Sequence, residues 1–164
     1  MLAAGLGMPG RAARGRGPGA GGHEPPGGMS RRAEDSVADE GGNLVAVRAI
    51  RGATQVAANE RAAVLEGTSE LVTEVMSRNR LTPADVISVV FTATHDLDAE
   101  FPALAARQLG FQDVPLLCAT EMNVPGSMPL VVRLMMHVET EQPRAAVQHV
   151  YLRGAIALRL DIAQ

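Results

Sequence analysis

Arg133 stands in the run Leu130–Val138, LVVRLMMHV, among valines, leucines and methionines. A guanidinium stays charged at any workable pH and is costly to bury alone, so in that setting it needs an anion. The anion is a carboxylate of the protein or one carried by a ligand. Upstream, Val114–Leu117 leads into Cys118, Ala119, Thr120 and Glu121, small and polar side chains gathered at the end of an apolar stretch. Asn123, Pro125 and Gly126 supply the reversal between the two runs. Arg51 closes a further apolar alternation, and Arg107 follows Phe101 by six residues. Arg153 and Arg159 share the parity of Tyr151. Several arginines on strands, with a phenol among them, describe a pocket of hydrogen-bond donors. Guanidinium takes carboxylate in bidentate geometry, so a small dicarboxylate or similar anion is the ligand class. Ordinary surface salt bridges are the competing reading of the same residues.

Other constellations carry less. His95, Asp96, Asp98 and Glu100 alternate as cation ligands can, but they lack a nearby second His or Cys and the calcium-loop spacing, so a solvated acidic loop is expected. Cys118 would be a nucleophile only with a histidine beside it. His137 and His149 are available, yet nothing in the sequence puts either there, and a buried thiol at a strand end is expected. The folded part holds no glycine-rich phosphate loop. No metal and no cofactor are expected.

The elements that must position these residues follow from periodicity. Leu44–Ile50 alternates as a first strand, with Arg51 at its end and Gly52 as its stop. Asn59 is a fair N-cap for a helix running to about Arg80, with Val64, Leu65, Thr68, Leu71, Val72, Val75 and Met76 as its buried stripe. Thr82-Pro83-Ala84-Asp85 reads as a cap and a short turn, and Val86–Thr92 as a central strand. A polar loop then becomes a helix near Pro102, closed by Gly110. Val114–Leu117 and Leu130–Val138 are strands. Val147–Arg159 is expected as a last strand with one apolar face and one face bearing Tyr151, Arg153 and Arg159. The class is α+β: a mixed sheet of about five strands with two principal helices.

Of the 164 residues, 1–43 contain twelve of the seventeen glycines, with five arginines against five acids. Such a segment buries too little apolar surface to offset its ordering entropy, so a disordered tail is expected, followed by one folded domain over 44–164. The tail lacks the apolar core of a secretory signal, and its Gly and Pro spoil an amphipathic transit helix. Met8 and Met29 leave open a later start. Nothing reaches the apolar length of a membrane span. The formal charge is −3 and the chain has no lysine, which speaks against nucleic acid. One cysteine cannot form an intramolecular disulfide, pointing to a reducing cytoplasm. With no Trp, one Tyr and three Phe, the core is modest, and an oligomer that buries more surface is plausible.

Five stretches then stand in order: VRAIRGAT at Val47–Thr54, FPALAAR at Phe101–Arg107, VPLLCATEM at Val114–Met122, VRLMM at Val132–Met136, and HVYL with ALR within His149–Arg159. Together they resemble the AroH class of monofunctional chorismate mutases over nearly all of residues 45–161. The resemblance implies a mixed five-stranded sheet with helices on one side, three subunits forming a pseudo-α/β-barrel, and active sites between neighbours. It implies the Claisen rearrangement of chorismate to prephenate in phenylalanine and tyrosine biosynthesis, without cofactor, metal or covalent intermediate. By position, Arg51 and Tyr151 match groups holding substrate carboxylate, and Arg133 matches the arginine facing the ether oxygen. Glu121 and the Cys118 region, with Leu117, Ala119 and Thr120, match groups near the substrate hydroxyl. Phe101, Ala103 and Arg107 match the neighbouring subunit's wall, and Leu158 and Arg159 the C-terminal stretch over the mouth. Leu104 stands where lysine is frequent and Leu117 where threonine is common, departures that bear on affinity more than on reaction type. A RidA-type imine deaminase and a non-catalytic trimer binding a carboxylate metabolite are the alternatives.

Overall fold

The computed structural model describes residues 37–38 and 44–158. The strands are β1 (Val37–Ala38), β2 (Leu44–Gln55), β3 (Val86–Ala93), β4 (Leu116–Thr120), β5 (Val131–Thr140) and β6 (Val150–Leu152). The helices are α1 (Arg61–Asn79) and α2 (Pro102–Gln108). The main sheet runs β6–β2–β5–β3–β4; β6 and β4 lie parallel to their neighbours, while β5 is antiparallel to both of its own. This is the expected mixed five-stranded sheet. At the start of β2 the short β1 adds an antiparallel pairing, Val37 opposite Val45. So two residues of the segment expected to be structureless join the sheet, and the rest of that segment lies outside the described residues.

Alternation sorts the side chains of the sheet. Ile50, Phe91, Leu134, Met136, Val150 and Leu152 form the core with Leu71, Val72 and Val75 of α1 and Ala106 of α2. Both helices pack on this face and on each other. Of the expected α1 stripe, Val64, Thr68, Leu71, Val72 and Val75 are buried together with Gly67 and Asn79, while Leu65 and Met76 are only half-buried. Residues of the opposite parity, among them Arg51, Val90, Arg133, Met135 and Tyr151, are only half-buried. The sheet thus has one face covered by helices and one face carrying the cations.

Several boundaries differ from expectation, each for a tertiary reason. The first strand passes through Gly52 and ends at Gln55. A Cβ on Gly52 would stand 3.0 Å from Leu71 Cδ1 and 3.3 Å from Val75 Cγ2, so this glycine lets α1 approach the sheet rather than ending the strand. Asn59 does not cap α1; the cap position is Glu60, without a side-chain hydrogen bond. The strand expected at Val114–Leu117 is Leu116–Thr120, so Cys118, Ala119 and Thr120 belong to the sheet and not to the turn. The last strand keeps only Val150–Leu152. Arg153 turns left-handed at φ 54, and a 3₁₀ segment follows over Arg153–Leu158. Arg153 therefore leaves the sheet and pairs with Glu70 (2.6 Å) and Glu66 (3.2 Å) of α1. The Thr82–Asp85 cap and turn is as expected, with the Asp85 carboxylate accepting from the Thr82 amide at 2.7 Å.

Candidate active site

The strand register assembles the site in rows. Ala53 and Thr92 flank Arg133 on either side, Tyr151 lies beyond Ala53, and Ala119 lies beyond Thr92. Tyr151–Ala53–Arg133–Thr92–Ala119 is thus one row across five strands. The next row places Arg51, Met135, Val90 and Leu117 side by side. Because alternate residues share a face, Arg51, Arg133 and Tyr151 converge. They line one cavity of about 370 Å³ with Thr92, Met135 and Leu158. Ala53, 1% exposed, contributes no bulk between the Arg133 and Tyr151 positions.

Arg133 has a protein anion within reach. Its Nε lies 3.3 Å from Glu121 Oε1, with the Glu121 side chain 18% exposed and that of Arg133 35%. The pair is close but misaligned, because Arg133 Nε is buried without a hydrogen-bond partner. Glu121 Oε1 accepts instead from the Thr92 hydroxyl at 2.6 Å. The Glu121 amide extends the sheet pairing through Ala93 O at 2.9 Å. Arg51 donates its amide to His149 Nδ1 at 3.1 Å, which leaves its side chain to the cavity.

The pleat turns Cys118 and Thr120 to the opposite face from the Arg133 row, while Ala119 belongs to that row. Cys118, Ala119 and Thr120 line a second cavity of about 370 Å³ with Phe101, Pro102 and the loop before α2. Phe101 is 71% exposed there. Burial pushes the Cys118 thiol above its ordinary value of 9.0, and a contact with the Ala103 backbone offsets this only in part. His149 is engaged by the Arg51 amide and His137 Nδ1 lies 3.2 Å from Ser88 Oγ, so the two histidines weighed as bases hold other partners. Ala103 packs against the core. Arg107 lies in neither cavity: its Nη1 donates to the carbonyls of Phe111, Gln112 and Val114, tying the end of α2 to the approach of β4. Leu117 is 59% exposed on the cationic face. Arg159 lies outside the described residues.

The acidic loop is exposed at His95 and Asp98, as expected, and is also held by hydrogen bonds. Asn59 receives the Asp98 and Ala99 amides and donates to Asp98 at 2.6 Å. Glu100 pairs with Arg61 at 2.7 Å. Asp96 accepts the amide of Leu130 at 2.9 Å, fixing that residue at φ 56 just before β5. Burial works against the Asp96 carboxylate, yet hydrogen bonds from Thr94 and the Leu130 amide outweigh it and hold its pKa below the usual 3.8. Among the described residues no group of three or more His, Cys, Asp or Glu is placed to hold a metal ion.

Thr92 is the site residue that sequence reasoning missed. It closes a β-branched run read as packing, and only the register with Arg133 distinguishes it.

The chain matches the family model for chorismate mutase type I over residues 47–162. It is 40% identical over 118 residues to chorismate mutase AroH of Bacillus subtilis (strain 168), covering 71% of this chain and 93% of that protein. With chorismate mutase AroH of Thermus thermophilus the identity is 44% over 117 residues, covering 71% and 96%. A solved chorismate mutase from Clostridium thermocellum aligns with TM-score 0.66 and 44% identity, covering 67% of this chain and 98% of that one.

Proposed function

The chain belongs to the type I, AroH-class chorismate mutase family, and from that premise we propose how its residues carry the reaction. As a chorismate mutase it is an isomerase that converts chorismate to prephenate, a step of aromatic amino-acid biosynthesis. The family match sets aside the imine-deaminase and the non-catalytic readings.

Breaking the C–O bond ahead of C–C formation gathers negative charge on the ether oxygen. A fixed cation there stabilises the transition state more than the ground state. Arg133 is that cation. What carries the assignment is the place of Arg133 on the wall of the cavity that Arg51 and Tyr151 also line, with Glu121 Oε1 3.3 Å from its Nε. Arg51 and Tyr151 hold substrate carboxylate and with it the compact conformer, an entropic contribution. Glu121 orients Arg133 and meets the substrate hydroxyl. Leu158 covers one side of the mouth. One preorganised donor is worth ~3–4 kcal/mol, roughly two to three decades in rate. None of these groups exchanges a proton with substrate.

The active unit is a homotrimer with sites between subunits. Two features support this: among the described residues no α-helix packs on the cationic face of the sheet, and the matched residues fall into two separate cavities of similar size. In the assembly the first cavity of one copy faces the second of its neighbour, so Phe101, Cys118, Ala119 and Thr120 form the far wall, with Ala103 behind them. Arg107 reaches substrate only by exchanging its carbonyl partners; otherwise it shapes the loop that presents Leu117. The domain occupies 44–164, with β1 of the preceding segment paired to its sheet, and the enzyme works in the cytoplasm without cofactor, metal, nucleic acid or membrane. Two measurements test the proposal. Citrulline in place of Arg133 keeps the shape and deletes the charge: a loss of two decades or more in kcat is expected, and an unchanged kcat removes Arg133 from the mechanism. Mass determination in solution is expected to give three copies, and a stable, active monomer excludes the shared site.

A further inference from the structure

The hydroxyl of Thr92 belongs to neither the strand pairing nor the core. It stands directly opposite Arg133 in the register and donates at 2.6 Å to Glu121 Oε1, the same oxygen that lies 3.3 Å from Arg133 Nε. A carboxylate beside a guanidinium normally closes a bidentate, charge-assisted pair. Here one oxygen is held by a short hydroxyl bond from the adjacent strand, and the nearby Nε–H goes without a hydrogen bond.

We infer that Thr92 is a positioning residue for the reaction: its hydroxyl pins Glu121 so that the carboxylate orients Arg133 without closing a bidentate pair with it. The inference rests on the mutase reading of this cavity and adds a residue to it. Pinning keeps the guanidinium's donors available to the oxygen on which charge develops. Without the hydroxyl, Glu121 rotates into full pairing with Arg133. Substrate must then break that pair in the transition state, so the loss falls on kcat. Binding through Arg51 and Tyr151 is left nearly intact.

The test uses the full chain with Thr92→Val, which keeps the β-branched shape and removes the hydroxyl, and Thr92→Ser, which keeps the hydroxyl. A hydrogen bond to a charged group corresponds to roughly tenfold or somewhat more in rate. The expected result is a kcat about tenfold lower for Thr92→Val at nearly unchanged KM, with activity regained in Thr92→Ser. In a Glu121→Ala background the Thr92→Val effect shrinks to nearly nothing, because the hydroxyl then has no carboxylate to hold. An unchanged kcat, a loss confined to KM, or the same loss in the Glu121→Ala background each overturns the inference. Thr92→Ala replaces Thr92→Val if thermal melting finds the latter poorly folded. A wild-type chain that makes no prephenate sinks the mutase reading itself; an active wild type that is sensitive at Arg133 but insensitive at Thr92 sinks only this step.

Discussion

Removing the Arg133 charge has two consequences in this geometry, and they can be separated. Arg133→Ala deletes a preorganised donor worth ~3–4 kcal/mol. It also leaves the Glu121 carboxylate, 18% exposed, without the cation that stands 3.3 Å away. At an effective dielectric of ~20 that separation corresponds to about 5 kcal/mol. Solvent reaches a guanidinium side chain that is 35% exposed, which lowers the attraction to roughly 1 kcal/mol. A dianionic substrate entering the variant cavity therefore meets a bare carboxylate as well as a missing cation. Arg133→Ala is expected to lower kcat/KM by roughly three to four decades, and Glu121→Gln alone by about one. The double variant is expected to be about tenfold faster than Arg133→Ala, since the glutamine amide no longer repels substrate. The assay is the initial rate of chorismate consumption by absorbance, with circular dichroism to verify the fold. A double variant slower than Arg133→Ala by the whole Glu121→Gln factor would mean that the two side chains act independently, and the reasoning from their contact would be wrong.

Gly52→Ala forces a methyl against Leu71, Val75 and Leu134. The overpacking costs ~1–3 kcal/mol against a gain of ~0.5–1 kcal/mol in backbone entropy; a melting temperature lower by roughly 5–10 °C is expected, and an unchanged one refutes the packing argument. The depressed Asp96 carboxyl contributes stability that is present above its unfolded value, near 3.8, and lost as pH falls through the folded one. Asp96→Ala is accordingly less stable than wild type at neutral pH, and the two converge on acidification; parallel acid-unfolding curves count against that linkage. Because burial keeps the Cys118 thiol protonated at neutral pH, alkylation by iodoacetamide should be slow until the pH passes 9.0. Cys118→Ala should change turnover by no more than roughly fivefold, the worth of one neutral hydrogen bond, and wild-type turnover should vary little with pH near neutrality; a steep dependence there contradicts the mechanism.

Much of the fold was legible because it is written in local alternation. The β-branched run of β3 and the apolar run around Arg133 in β5 identified both strands, and Thr82 with Asp85 announced their own turn. Arg51, Arg133 and Tyr151 stood out because cations and a phenol are conspicuous among aliphatic neighbours. What escaped depends on partners distant in the chain. Gly52 reads as a stop until Leu71 is known to press on it, and Asn59 reads as a cap until Asp98 and Ala99 claim its side chain. The tail of the chain kept an alternating pattern past Leu152, but Arg153 found its carboxylates on α1 and turned away. Thr92 was invisible because a threonine ending a β-branched run is what packing alone would select.

The row Tyr151–Ala53–Arg133–Thr92–Ala119 draws one residue from each of five strands whose sequence positions span most of the domain. A slip of one residue in any of them turns its member to the helix side, since side chains alternate. Turnover is therefore a proofreader of strand alignment: misregistered or half-assembled chains can be compact and helical, yet they are silent toward chorismate. Regain of activity during refolding should consequently trail the recovery of secondary structure.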